Sequence, residues 1–224
     1  MSLKEVQSKG YYIYEAPVRI WHWITFISVT ILSVTGYLIA HPVNSNSGDT
    51  SYVFFLGWVR LIHFSAGYTF LAGILLRIYW AIWGNKFSRE LFIPPFWRKE
   101  WIRGVVDELR WYLFLEKTPH KYLGHNPVAM IAVSFYFWVS VFMVLSGFAL
   151  YGEGLGYESW AYKLFGWMIY MTGGNSLLLH SLHRFGMWLT ITFVLLHVYT
   201  VIREEIMSRQ SMLSSMISGW RWFR

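Results

Sequence analysis

His183 and His197 lie fourteen residues apart on one apolar stretch, LLHSLHRFGMWLTITFVLLHVYTVI, from Leu178 to Ile202. Fourteen helical steps of about 100° return to within about 40° of the start, so both side chains share a face. At about 1.5 Å per residue they stand about 21 Å apart along the axis, one near each edge of a bilayer's hydrocarbon. Polar groups at such positions are expensive and usually functional. One helix offering an imidazole near each edge suits the axial ligation of two haems stacked inside a helical bundle. Each iron would then need a second ligand at matching depth, and His22 and His63 are the histidines inside the other apolar stretches.

Four segments approach the roughly 20 residues needed to cross a bilayer. They run over about 20–40, 55–83, 129–150 and 178–202. Helices are expected, because isolated strands cannot satisfy their backbone in lipid. The expected fold is therefore an all-α membrane protein, a four-transmembrane-helix bundle binding two haems b, forming a single domain over residues 1–224. Fifteen of the nineteen Lys and Arg fall in the N-terminal segment, the 84–128 connection and the C-terminal tail. The 41–53 connection has none, and the 151–177 connection has only Lys163. The positive-inside rule thus predicts both termini and the long connection on the cytoplasmic side. This topology puts His22 and His197 at cytoplasmic depth, and His63 and His183 at outer depth. The predicted pairs are His22 with His197 and His63 with His183.

Composition agrees with a membrane setting. Hydrophobic residues make up 55% of the chain and charged ones only 14%, too few to cover a soluble domain of 224 residues. The net charge of +7 is concentrated between apolar runs, which fits membrane orientation rather than nucleic-acid binding. There is no cysteine, which excludes disulfides, iron–sulfur ligation and covalent c-type haem. No cleavable signal peptide is recognisable at the N-terminus. Interfacial helices are predicted over Trp97–Leu115 and within 157–173, and an interfacial aromatic belt at Tyr11, Tyr12, Trp21, Trp80 and Trp83. No internal repeat stands out, and the loop NSNSGDTS is the one low-complexity stretch.

Arg19, Arg60 and Arg184 neighbour the predicted ligands and could pair with haem propionates, although anchoring at the membrane edge is an equally simple role. Gly36, Gly67 and Gly186 would let a flat macrocycle approach a helix. His180, one turn before His183, is a shallower competitor as ligand. His41, His120 and His125 lie outside the spans and are expected to be solvated.

The segments EAPVRIWHW, GWVRLIHFSAGYTF, LLRIYWAIWGN and HSLHRFGMWLTITFVLLHVYTVI resemble the b-type cytochrome subunit of membrane-bound respiratory [NiFe] hydrogenases. The resemblance runs from about Tyr11 to Arg203. It implies a membrane anchor of the bacterial cytoplasmic (inner) membrane. Electrons would pass from the periplasmic hydrogenase small subunit, partnered by its large subunit, through an outer and an inner haem to membrane quinone. Carried over by position, the family's four haem ligands fall on His22, His63, His183 and His197. The hydrogen chemistry would belong to the partner, since this chain has no cysteine to hold a relay cluster. A homodimer within a larger assembly is a further implication of the resemblance alone. Quinone is expected near His22 and His197, with Glu15, Glu204 and Glu205 as proton-donor candidates. The histidine pattern is shared with cytochrome subunits of formate dehydrogenase and thiosulfate reductase, so another respiratory complex is the alternative reading. A haem-free transporter or metal-binding membrane protein is the second rival.

Overall fold

A computed structural model describes residues 9–42, 54–89, 94–118 and 120–223. The NSNSGDTS loop, Lys4 and Arg224 lie outside this set. Four helices are long and apolar enough to cross a membrane: α1 (Ala16–Ala40), α2 (Phe55–Trp83), α5 (Pro127–Leu155) and α8 (Ser176–Met207). Their apolar residues run round the whole circumference, and many, including Phe26, Leu75, Trp138 and Leu195, are exposed. A helix that is apolar all round belongs in lipid or a large core. Each span contains its sequence-predicted segment. The excess lies at the ends, where helix continues past the predicted segment through Arg203 and Glu204 at one end of α8 and through Gly152–Leu155 at one end of α5.

Between the spans lie α3 (Lys86–Arg89), α4 (Lys99–Tyr112), α6 (Trp160–Phe165), α7 (Trp167–Met171) and α9 (Met212–Ser218). Helix α4 is strongly amphipathic, as expected of an interfacial helix, and buries Glu108 and Trp111 on its inner face. The 157–173 stretch breaks into two short helices at Gly166.

The chain contacts form two compact units. One comprises residues up to His22, 76–137 and 193–224; the other comprises 23–75 and 138–192. In the first unit, a two-stranded antiparallel sheet was not anticipated from sequence. Strand β1 (Lys9–Tyr12) pairs with β2 (Trp220–Phe223), opposing Tyr12 to Trp220 and Gly10 to Trp222. The segments before α1 and after α8 are thus hydrogen-bonded together. Two polar groups fasten this unit. The Glu15 carboxylate accepts from Trp80 Nε1 (2.9 Å) and the Asn85 amide (3.1 Å), and Asn85 Nδ2 donates to the Ile13 carbonyl (2.9 Å). Arg221, 3% exposed, donates to the carbonyls of Gly124 (2.7 Å) and Leu123 (3.1 Å) and to Gln210 Oε1 (2.6 Å). In the second unit, the small core of Ala149, Met168, Ile169 and Leu179 packs α7 against α5 and α8.

Arg221 closes the terminal sheet onto the 120–126 segment through a fork that lysine cannot reproduce. Replacing it by alanine strands buried acceptors, an expected loss of about 2–3 kcal/mol. Thermal unfolding in detergent should show a clearly lower Tm for Arg221→Ala. Arg221→Lys should recover only part of it; full recovery by lysine would mean that charge alone matters.

Candidate functional site

In the second unit, His63 on α2 and His183 on α8 line one cavity of about 660 Å³, the size of a cofactor site. Each imidazole is held in the same way. Thr35, on α1, donates its hydroxyl proton to the Ile31 carbonyl (2.7 Å), and its oxygen lies 2.8 Å from His63 Nδ1. Ser146, fully buried on α5, donates to the Phe142 carbonyl (2.7 Å) and lies 2.8 Å from His183 Nδ1. A hydroxyl has one proton. With that proton on a carbonyl one turn back, the oxygen accepts from the imidazole, and Nδ1 carries the ring hydrogen. Nε2 is then the basic nitrogen of both rings, the form in which histidine binds a metal.

A glycine follows each hydroxyl residue. A Cβ added at Gly36 would come within 3.3 Å of His63 Cε1, and one at Gly147 within 3.3 Å of His183 Cε1. The glycines let each ring lie against the neighbouring helix. Thr35–Gly36 and Ser146–Gly147 are thus the same device used twice. Gly67 also lines the cavity, where an added Cβ would meet open space. Gly186, in contrast, packs against the Met143 side chain and does not face the cavity. Arg60, Arg184 and His180 line the same cavity. His180 Nδ1 bonds the Ser176 carbonyl of its own helix (3.0 Å), one turn shallower than His183.

In the first unit, His22 on α1 and His197 on α8 face each other with ring centroids 6.4 Å apart and planes inclined by 52°. Two metal–imidazole bonds of about 2 Å and two ring radii of about 1 Å span about 6 Å, so the gap matches one metal ion between the rings. A parallel stack fixes His197: Tyr136 lies on Phe193 (4.2 Å, 6°), and Phe193 lies on His197 (5.6 Å, 13°). Among the described residues, no three His, Asp or Glu side chains gather into a metal cage. Each site therefore offers two imidazoles, which suits a metal whose remaining positions are filled by a macrocycle.

Near the first pair, the arginine expected beside His22 is engaged elsewhere: Arg19 Nη1 donates to the Ile217 carbonyl of α9. Another arginine of this unit is more deeply buried. Arg77, 1% exposed, donates to the Ser88 carbonyl (2.7 Å) and stacks over Trp21 at 5.3 Å. Of the expected solvated histidines, His41 and His120 are exposed. His125 departs from that expectation: it is half-buried, packs edge-on against Tyr14 (6.2 Å) and lines a small polar cavity. The same cavity gathers Glu108 and Glu204.

The sequence reading passed over Thr35, Ser146, Gly147, Arg77 and Glu108. For the first three a signal existed, since a hydroxyl residue followed by glycine recurs in two different apolar spans. For Glu108 none did, because one carboxylate among many charged residues of an interfacial helix looks solvated.

Residues 13–219 match the family model described as Prokaryotic cytochrome b561. The chain is 51% identical over 222 residues to the probable Ni/Fe-hydrogenase 1 B-type cytochrome subunit of Escherichia coli (strain K12), covering 99% of this chain and 94% of that protein. It is 50% identical over 214 residues to the probable Ni/Fe-hydrogenase B-type cytochrome subunit of Azotobacter vinelandii, covering 95% and 89%. It is 48% identical over 217 residues to its counterpart in Cupriavidus necator, covering 96% and 88%. Four apolar helices and these matches identify an integral membrane protein with the make-up of an electron-transferring cytochrome. The chain belongs to the prokaryotic cytochrome b561 family.

Proposed function

We propose that this chain is the membrane anchor and di-haem relay of a [NiFe] hydrogenase. It carries electrons from a periplasmic small subunit through two haems b to quinone in the bacterial inner membrane. One haem b is held by His63 and His183, the other by His22 and His197. The observation that carries the reading is the pair of facing imidazole sets, of which the 660 Å³ cavity set has both rings fixed with Nε2 basic. When bound, haem supplies reversible one-electron chemistry, which the protein tunes.

This chain's own residues do the rest. Thr35 and Ser146 accept the Nδ1–H of the two outer histidines, which orients the rings and raises the basicity of Nε2. Gly36, Gly147 and Gly67 keep space for ring and macrocycle. Arg60 and Arg184, at the same cavity, are placed to neutralise carboxylates at the membrane edge. The Tyr136–Phe193 stack holds the His197 plane. Arg19, anchored on α9, retains a propionate role only through the rest of its guanidinium. The pairing of β1 with β2 and the fifteen clustered cationic residues support termini on the cytoplasmic side. The names of the relatives support the hydrogenase partner.

Three measurements test this. Haem quantification of the purified chain should give two non-covalent haems, and His183→Ala and His197→Ala should each lose one; no haem in folded wild type would end the proposal. Ser146→Ala should weaken haem retention by about 10–100-fold, the usual effect of losing a ligand's hydrogen-bond partner. It should also raise the midpoint potential of that haem, because its imidazole becomes a poorer donor; an unmoved potential would deny Ser146 this role. In the purified complex, free of the membrane quinone pool, hydrogen should reduce the haems and formate should not, whereas reduction by formate would assign the chain to a different complex.

A further inference from the structure

Beyond the histidines, the first unit buries a polar cluster that the electron relay does not use. Glu108 on α4 is 1% exposed and Glu204 near the end of α8 is 5% exposed. Both line a cavity of about 40 Å³, room enough for a water molecule. Burying one carboxylate is costly, and burying two beside each other is more so unless one carries a proton.

Their surroundings divide the roles. Glu204 is well partnered: Oε1 accepts from Trp111 Nε1 (2.9 Å) and lies 3.5 Å from Arg203 Nη1. Arg203 is itself fixed under three rings, Trp111, Tyr112 and Phe114, at 4.7–5.0 Å, and donates to the Trp111 carbonyl (2.8 Å). Glu108 is not so provided. Its Oε1 accepts from Asn126 Nδ2 (2.8 Å), whose own Oδ1 takes the Ala129 amide (2.6 Å). Its Oε2 is buried and has no hydrogen-bond partner among the described residues. As an acid, Glu108 would turn that oxygen into a donor able to reach the cavity. Burial first, and then the charge on Glu204, push its carboxyl up to about 7, while Arg203 and the Asn126 hydrogen bond pull the other way. Tyr112, held up at about 12, stays a neutral phenol beside it. The other ionisable groups around the cavity are Tyr14, His120, Tyr122, His125 and Arg221, with Glu116 acting on Glu108 from farther away.

We propose that Glu108 and Glu204 form a one-proton loading pair that serves quinone reduction on the side of His22 and His197. The proposal rests on the quinone-reducing reading given above. Each quinone takes two electrons from the relay and two protons. For each proton, the O–H bond of Glu108 breaks, its electrons stay on the carboxylate, and a new O–H bond forms on the reduced quinone oxygen, with cavity water as carrier. The carboxylate then regains a proton from the aqueous side, where exposed His120 meets the cavity wall. Of the three acids named from sequence, Glu204 is retained. Glu15 is engaged by Trp80 and Asn85, and Glu205 by the Leu213 amide (2.8 Å).

The reverse reaction provides the test, with duroquinol as reductant of the haem-loaded protein in detergent. In wild type the rate of haem reduction should rise with pH through about 7, as the proton-accepting carboxylate forms. Glu108→Gln should slow it by about tenfold or more and flatten this pH profile, consistent with losing a general base. Haem content and reduction by dithionite should stay as in wild type. Glu108→Asp should restore part of the rate and a pH dependence. Infrared difference spectra should contain a protonated-carboxyl band that titrates near neutrality and is missing in Glu108→Gln. Unchanged duroquinol kinetics in Glu108→Gln, or a carboxyl ionised throughout, would overturn the proposal alone. No electron exchange between duroquinol and wild-type haem would overturn the quinone reading and the proposal with it.

Discussion

A histidine inside a membrane has two ring nitrogens to satisfy and no water to satisfy them, and the arrangement of the spans answers that constraint. A neutral imidazole donates at one nitrogen and accepts at the other. In the second unit, the donor is met by a hydroxyl already committed to its own helix, so the acceptor nitrogen turns toward the cavity. This device needs three things on two helices: a Thr or Ser able to bond one turn back, a glycine beside it, and a histidine opposite. The helices carrying Thr35 and Ser146 must therefore approach those carrying His63 and His183 closely. Small residues at the contact permit this where lipid supplies no hydrophobic drive for association.

The first unit meets a different demand. It lies where helices end, and polar backbone, charges and chain termini must be organised together. Arginines do most of this. Arg203 is sandwiched under three aromatic rings and bonded to a carbonyl; Arg221 forks onto two carbonyls and an amide; Arg77 sits over Trp21. A delocalised, weakly hydrated cation can be buried among rings and carbonyls in this way, and an ammonium far less easily.

How much of this could be read in advance follows from the physics of each feature. The four spans were legible because crossing a bilayer requires a long apolar run, and the shared face of His183 and His197 because helical periodicity fixes it; the structure brings His22 near His197 and sets His63 and His183 on one cavity. Helix ends were less legible, since α5 and α8 continue beyond their apolar residues. The surroundings of these histidines were partly visible: Gly36 and Gly67 do face the cavity, whereas Gly186 packs on Met143. Residues defined by long-range partners were hidden. Glu108 looks like any surface acid of an amphipathic helix until Asn126 and α8 close over it, and Arg19 points to α9, almost 200 residues away. The pairing of the two chain ends has no local signature at all.

That pairing sets an order of events during synthesis. β1 precedes the first span and leaves the ribosome before it, whereas its partner β2 follows the last span. At about 5–20 residues per second, β1 waits some 10–40 seconds for its partner. Arg221 arrives with β2, and with it the seal on the Leu123 and Gly124 carbonyls. Closure of the first unit thus comes after the last span has been made. Until β2 emerges, all four spans can be in place while β1 is still unpaired.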